Sequence, residues 1–129
     1  MTGEMSVLII DDDAELRDLF EQGLQMAGFE VYQAGDGPTG IETAREKVPS
    51  LILLDVTMEG MNGLEVLAEL KSSEETRDIP VFMLTGSSGM GDIKRAMEDG
   101  AVGYITKPVE VMKLGPMLRE KLAKCVKRQ

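Results

Sequence analysis

The chain has 129 residues, enough for one compact domain, with 43% hydrophobic and only 4% aromatic residues and a net charge of −9. The absence of histidine removes the usual general base and metal nitrogen ligand, and the single cysteine, Cys125, excludes an internal disulfide and a cysteine-based zinc site. The acidic balance argues against nucleic acid as a direct partner, and no apolar run approaches the roughly 18–20 residues of a membrane span.

The opening MTGEMSVLII has no basic region before its short apolar run, so it does not read as a secretory signal, and a soluble, cytoplasmic protein is expected. Residues 6–10, SVLII, form a short β-branched run that predicts a buried strand. AELRDLFEQGLQMAG then places Leu16, Leu19, Phe20, Gly23 and Ala27 at helical spacing, with Asp13 suited to cap the helix and Gly28 to stop it. EVYQA predicts a second strand. Pro38 opens a second helix through Ile41, Ala44 and Arg45 that stops before Pro49.

LILL is continuous in apolar character, as a central parallel strand is. GLEVLAELK follows as a third helix with Leu64, Leu67 and Leu70 on one side, and SSEETRD as a charged surface loop. VFML predicts a fourth strand, DIKRAMEDG a short helix, GYIT a fifth strand, and the chain from Val109 a fifth helix. Gly115 and Pro116 interrupt that helix, so it either starts near Gly115 or kinks there. Lys121, Lys124, Lys127 and Arg128 suit a solvated helix face. Five strands alternating with five helices predict a parallel sheet covered on both faces, the doubly wound α/β architecture, in a single domain spanning 1–129.

In such sheets ligands bind outside the carboxyl ends of the strands. The strand ends here are polar: Asp11 and Asp12 after the first, Asp55 after the third, Thr85 after the fourth, Thr106 and Lys107 after the fifth. Three gathered carboxylates repel one another unless a hard cation intervenes, and Mg²⁺ suits oxygen ligands of this kind. Lys107 adds an ammonium beside Asp55, and Thr85 a hydroxyl donor, with the amides of the Gly86–Ser87 turn nearby. A carboxylate between a cation and an ammonium is poised for in-line attack on a phosphoryl group. Met58, Met61 and Met83 read as packing.

IIDD at 9–12, LLDVTMEGMNG at 53–63, MLTG at 83–86 and YITKP at 104–108 together resemble the receiver domain of two-component response regulators, from about Met5 to about Lys124. The resemblance implies a flavodoxin-like five-stranded sheet of order 2-1-3-4-5. It also implies that Asp55 accepts a phosphoryl group from a histidine kinase or histidine phosphotransfer protein. Asp11 and Asp12 would bind Mg²⁺ with Asp55 and the backbone carbonyl of Thr57, and Lys107 would contact the phosphoryl group. Thr85 and Tyr104 would form a switch pair, and the Lys107–Pro108 peptide would be cis. The family also dephosphorylates itself slowly, and Thr57 and Ser87 would flank the path of the attacking water.

Two positions depart from the family pattern: Glu59 stands where proline is usual and Gly86 where alanine is usual. Gly86 within TGSSGMG predicts a loop that is mobile without phosphate and metal. The Gly115–Pro116 break is expected on the face of the last two helices and the fifth strand, the family's common output surface. Rival readings are a haloacid-dehalogenase-type phosphatase, a flavodoxin-type flavin domain and an unphosphorylated binding module. Thr57, where the phosphatases carry a second Asp, argues against the first, and DDD in place of a phosphate loop against the second. The effector is not named by the sequence, and monomer or phosphorylation-dependent homodimer stays open.

Overall fold

The computed structural model describes residues 5–58, 60–86 and 91–127, the last three without their side chains. Strands β1 (Ser6–Ile10), β2 (Glu30–Ala34), β3 (Leu51–Asp55), β4 (Val81–Thr85) and β5 (Gly103–Thr106) alternate with helices α1 (Ala14–Met26), α2 (Gly37–Lys47), α3 (Gly63–Ser72), α4 (Ile93–Glu98) and α5 (Val111–Lys127). All strands pair in parallel, in the order β2-β1-β3-β4-β5 expected from the resemblance. Among the described residues, no helix is long and apolar enough to cross a membrane.

Side-chain alternation divides the core into two layers. Leu8, Ile10, Ile52, Leu54, Val81 and Met83 face α2, α3 and α4, where Ala44, Val66, Leu67, Leu70, Ile93 and Ala96 meet them. Val7, Ile9, Leu51, Leu53, Phe82, Leu84 and Ile105 face α1 and α5, against Phe20, Leu24, Leu114 and Leu118. Because β1, β3 and β4 are covered on both sides, their sequences are uninterrupted apolar runs.

The helix starts are written in capping residues. Asp13 Oδ1 accepts from Leu16 N–H, Asp36 accepts from Thr39 N–H, and Asn62 forms a reciprocal capping box with Glu65. The loop 72–78 is less of a surface loop than its charges suggest. Thr76 is buried and donates its hydroxyl to Leu70 O at 2.6 Å, and Lys71 Nζ donates to the carbonyls of Arg77 and Ile79 at 2.9 Å each.

Two expectations for the helices are corrected. In α1 the buried stripe is Phe20, Gly23 and Leu24, while Leu19 is 49% exposed. The helix turns its Phe20–Leu24 edge to the sheet and α5, leaving Leu19 one residue outside the contact. Of the two alternatives for α5 the start near Gly115 is overturned: the helix begins at Val111, four residues earlier, and carries Pro116 in its interior. Gly115 is buried against α1 rather than on the α4–β5–α5 face: a Cβ there would fall on the Cβ of Ala27, just as one at Gly23 would fall on Val111. The two glycines let α1 and α5 approach closely, and exposed Pro116 tops the same turn.

Val48, the residue after α2, has φ 42° and ψ 65° and lies immediately before Pro49. A β-branched side chain in the left-handed region is strained, and this one is 57% exposed, so little packing compensates. Val48→Gly is therefore expected to stabilise the protein by roughly 0.5–1 kcal/mol, relief of strain exceeding the added freedom of the unfolded chain. A higher denaturant midpoint at unchanged m-value would show it.

Candidate functional site

Alternation explains why three charged residues distant in sequence converge. Val7, Ile9 and Asp11 follow one another on the α1/α5 side of β1, and Leu51, Leu53 and Asp55 on the same side of β3. Ile105 of β5 is followed two residues on by Lys107. Each row is apolar until the strand ends, and its next member is charged. Asp11 is 1% exposed and Asp55 5%, while Asp12, one residue further out, is exposed.

Lys107 Nζ stands 3.2 Å from Asp11 Oδ2 and 3.5 Å from Asp55 Oδ1. Asp11 Oδ1 also accepts from Asp13 N–H at 3.0 Å, and Asp55 Oδ1 from Thr57 N–H at 3.3 Å. One carboxylate oxygen from each of Asp11, Asp12 and Asp55 lies within 4.8 Å of the others. Such a set of oxygen donors, mutually repulsive and with the Lys107 ammonium beside Asp11 and Asp55, fits a small hard dication.

Burial pushes the Asp55 carboxyl up to about 6; the charge of Asp11 adds to the rise, and Lys107 and the Thr57 N–H oppose it. For Lys107 desolvation acts downward, but Asp11 and Asp55 outweigh it and hold the ammonium above its ordinary value. The folded state thus favours protonated Asp55. As pH rises above 3.8 the unfolded chain ionises first and stability falls. The loss levels off once native Asp55 ionises near 6. In metal-free buffer, Asp55→Asn is expected to exceed the natural protein in stability at pH 7.5 by up to about 3 kcal/mol. That advantage should shrink towards zero at pH 4. Paired denaturant titrations across this window check it.

Thr85 and Tyr104 lie on the other face. Thr85 is buried, and its hydroxyl donates to Gly86 O at 2.9 Å; its carbonyl accepts from Lys107 N–H at 2.8 Å. Tyr104, paired in register with Met83, is 39% exposed. The structure brings the two onto adjacent strands and the same side of the sheet, with no hydrogen bond between them among the described residues. Tyr104 lines a groove of about 580 Å³ with Met97, Pro108, Val109, Lys113 and Met117. The Lys107–Pro108 peptide is cis, as the resemblance implies. Met58 and Met83 are buried in the core and Met61 packs against it. Glu59, Ser87 and the rest of the loop 87–90, the side chain of Lys127, and Arg128 lie outside the described residues, so the expectations for them stand untested.

Two residues beside the site carry no mark in the sequence. Gly63 reads there as turn chemistry, yet a Cβ at this position would collide with the carbonyl oxygen of Asp55 and stand 2.8 Å from Val56 Cα. Arg17 is one of the polar residues between the apolar positions of α1 and draws no reading of its own, yet its Nη1 donates to Asp11 O at 2.6 Å. Neither leaves a local signal, because each acts on a partner in another element.

Five parallel strands in this order, with an acidic cluster facing a lysine at their carboxyl ends, define a flavodoxin-like α/β domain. The family described as "Response regulator receiver domain" matches residues 7–119. The chain is 42% identical over 105 residues to the DNA-binding dual master transcriptional regulator RpaA of Synechocystis sp., covering 81% of this chain and 44% of that protein. It is 40% identical over 114 residues to the response regulator PleD of Caulobacter vibrioides, covering 88% of this chain and 25% of PleD. The polar-differentiation response regulator DivK of Brucella abortus is 37% identical over 106 residues, 82% of this chain and 86% of DivK. A CheY-like receiver domain from Methanospirillum hungatei superposes with a TM-score of 0.87 at 28% identity, covering 98% of this chain and all of that one. The chain belongs to the response regulator receiver domains of two-component systems, which are phosphorylation-dependent signalling switches and not enzymes in the ordinary sense. It spans less than half the length of RpaA and a quarter of PleD.

Proposed function

We propose that residues 1–129 form one receiver domain in which Asp55 is the phosphoacceptor. The observation that carries the reading is Asp55 Oδ1 lying 3.5 Å from Lys107 Nζ, inside a cluster completed by Asp11 and Asp12. Asp11, Asp12, Asp55 and the Thr57 carbonyl would hold Mg²⁺, which when bound neutralises charge on phosphoryl oxygens. The donor is a phosphohistidine on a histidine kinase or phosphotransfer protein, since this chain has no histidine. An Asp55 carboxylate oxygen bonds to phosphorus as the P–N bond breaks, and the departing imidazole nitrogen takes up a proton. Lys107 shifts its ammonium from the carboxylates to a phosphoryl oxygen, in keeping with its place between them.

The switch follows from hydrogen bonding. A phosphoryl oxygen is a stronger acceptor than Gly86 O, so the Thr85 hydroxyl turns from the carbonyl to the phosphoryl group. Tyr104 then leaves the groove beside Met97 and Met117 for the space Thr85 vacates, and the surface offered to a downstream partner changes. Water attacking the aspartyl phosphate past Thr57 resets the domain slowly. The reading keeps the domain in the cytoplasm, as expected from the sequence.

Intact-mass measurement after incubation with an acyl phosphate tests this. One phosphoryl adduct is expected with Mg²⁺ and none with excess chelator. Turnover of phosphate monoesters by the folded protein without any adduct would overturn the reading.

A further inference from the structure

β1 ends at Ile10, so the Asp11 peptide leaves the strand ladder. Its N–H still donates to Ala34 O at 3.1 Å, but its carbonyl has run beyond the strand. Arg17, on the first turns of α1, folds back and donates from Nη1 to that carbonyl at 2.6 Å. The guanidinium is itself oriented. Its Nε donates to Gln33 Oε1 at 2.9 Å, and Gln33 Nε2 donates to Glu21 Oε1 at 2.6 Å and to Asp18 Oδ1 at 3.1 Å. Gly35 keeps the space beside it open, since a Cβ there would stand a tight 3.1 Å from Arg17 Nη1. The chain thus commits side chains from α1 and β2 to one main-chain oxygen beside the acidic cluster.

We propose that Arg17 is a positioning residue for the cation site. By holding the Asp11 carbonyl it sets the plane of the Asp11–Asp12 peptide, and with it the directions in which both carboxylates leave the backbone. Asp13 N–H and Lys107 restrain the Asp11 side chain, but neither bond fixes that peptide plane. The inference rests on the Mg²⁺-dependent phosphoacceptor reading for what the ion is used for, and on the geometry alone for where it binds.

The alternative role for Arg17, a simple counter-charge, predicts the opposite sign. A guanidinium next to clustered carboxylates repels an incoming dication, so deleting the charge alone would tighten Mg²⁺ binding. Deleting a positioning group weakens it, and outer-shell partners of metal ligands are typically worth about 10–100-fold in affinity.

The test is calorimetric titration of the full chain with Mg²⁺, for the natural protein and for Arg17→Met, Arg17→Lys and Gln33→Met. Arg17→Met is expected to raise the Mg²⁺ dissociation constant about tenfold or more. Arg17→Lys, which keeps the charge and one donor, is expected to recover part of the loss. Gln33→Met, which leaves the arginine in place but unoriented, is expected to shift affinity the same way, and it decides the question if Arg17→Met does not fold. The Mg²⁺ concentration giving half-maximal acyl-phosphate labelling should move by the same factor. Unchanged or tighter Mg²⁺ binding in folded Arg17→Met overturns the proposal, as does a loss of stability in chelator with affinity intact. If the natural protein binds Mg²⁺ in this Arg17-dependent way but takes no phosphoryl group, the functional reading fails and the positioning role stands. If labelling is normal and affinity is indifferent to Arg17, the positioning role fails and the functional reading stands.

Discussion

The Asp55→Asn protein is expected to gain no mass on incubation with an acyl phosphate and Mg²⁺, where the natural protein gains one phosphoryl group. The amide is nearly isosteric with the carboxylate, but its oxygen is a poor nucleophile and carries no charge, so the loss should be complete. Metal-free buffer separates this from a folding defect, because there the substitution removes the negative charge that burial and Asp11 disfavour, and the variant is expected to be the more stable of the two. This pairing of lost labelling with gained stability is hard to produce in any other way. A surface carboxylate labelled adventitiously would leave the adduct in place in Asp55→Asn. A purely structural Asp55 would leave the protein less stable when changed, not more. An adduct of undiminished yield in the variant would remove Asp55 from the role and leave the acidic cluster without its reacting member.

The stabilisation also bears on what the site costs. Asp11 and Asp55 are almost fully buried, and Lys107 is ion-paired with both. On the proposed reading, a site that receives a dication and a phosphoryl group holds its carboxylates desolvated beforehand, and the folded state would bear that penalty until a cation bound. Stability given up in this way is common where charge has to be arranged ahead of the chemistry.

Much of this was legible along the chain because the relevant signals are local. SVLII and LILL are short, apolar and ended by carboxylates, so strand, strand end and candidate ligand are read in a single pass. Period-two alternation then places Asp11 after Ile9 and Asp55 after Leu53 on one face, and parallel pairing does the rest. The caps at Asp13 and Asn62 are likewise local chemistry. What the sequence hid depends on contacts between elements far apart along it. Leu19 and Leu24 both suit an apolar stripe, and only the angle at which α1 meets the sheet and α5 chooses Leu24. Gly115 looks like a helix breaker until Ala27 is seen against it. Arg17 resembles any exposed helix arginine until the strand end it reaches is in place.

Gly63 is where such a hidden contact should have the largest consequence. It is the first residue of α3, and its N–H donates to Val56 O at 2.9 Å. On helix propensity alone Gly63→Ala would be worth up to about 1 kcal/mol of added stability. Here the new methyl would press on the Asp55 carbonyl and on Val56 Cα, which are backbone atoms and cannot swing aside as a side-chain tip can. Overpacking of this kind typically costs about 1–3 kcal/mol, so the sign of the effect reverses. The displaced atoms include the backbone of Asp55, the proposed phosphoacceptor, and a shift of about 1 Å in a reacting group can cost on the order of 100-fold in rate. Gly63→Ala is therefore expected to lower the unfolding free energy and to slow acyl-phosphate labelling by at least about tenfold at saturating Mg²⁺. Gly60→Ala supplies the control. Its φ of +83° makes alanine strained by about 1 kcal/mol, but a Cβ there meets nothing within 4 Å. That variant should lose stability while labelling at close to the natural rate. If both variants label alike, the Gly63 contact does not set the position of Asp55. If only Gly63→Ala is slow, the close packing of α3 against the end of β3 is what holds the carboxylate in reach of Lys107.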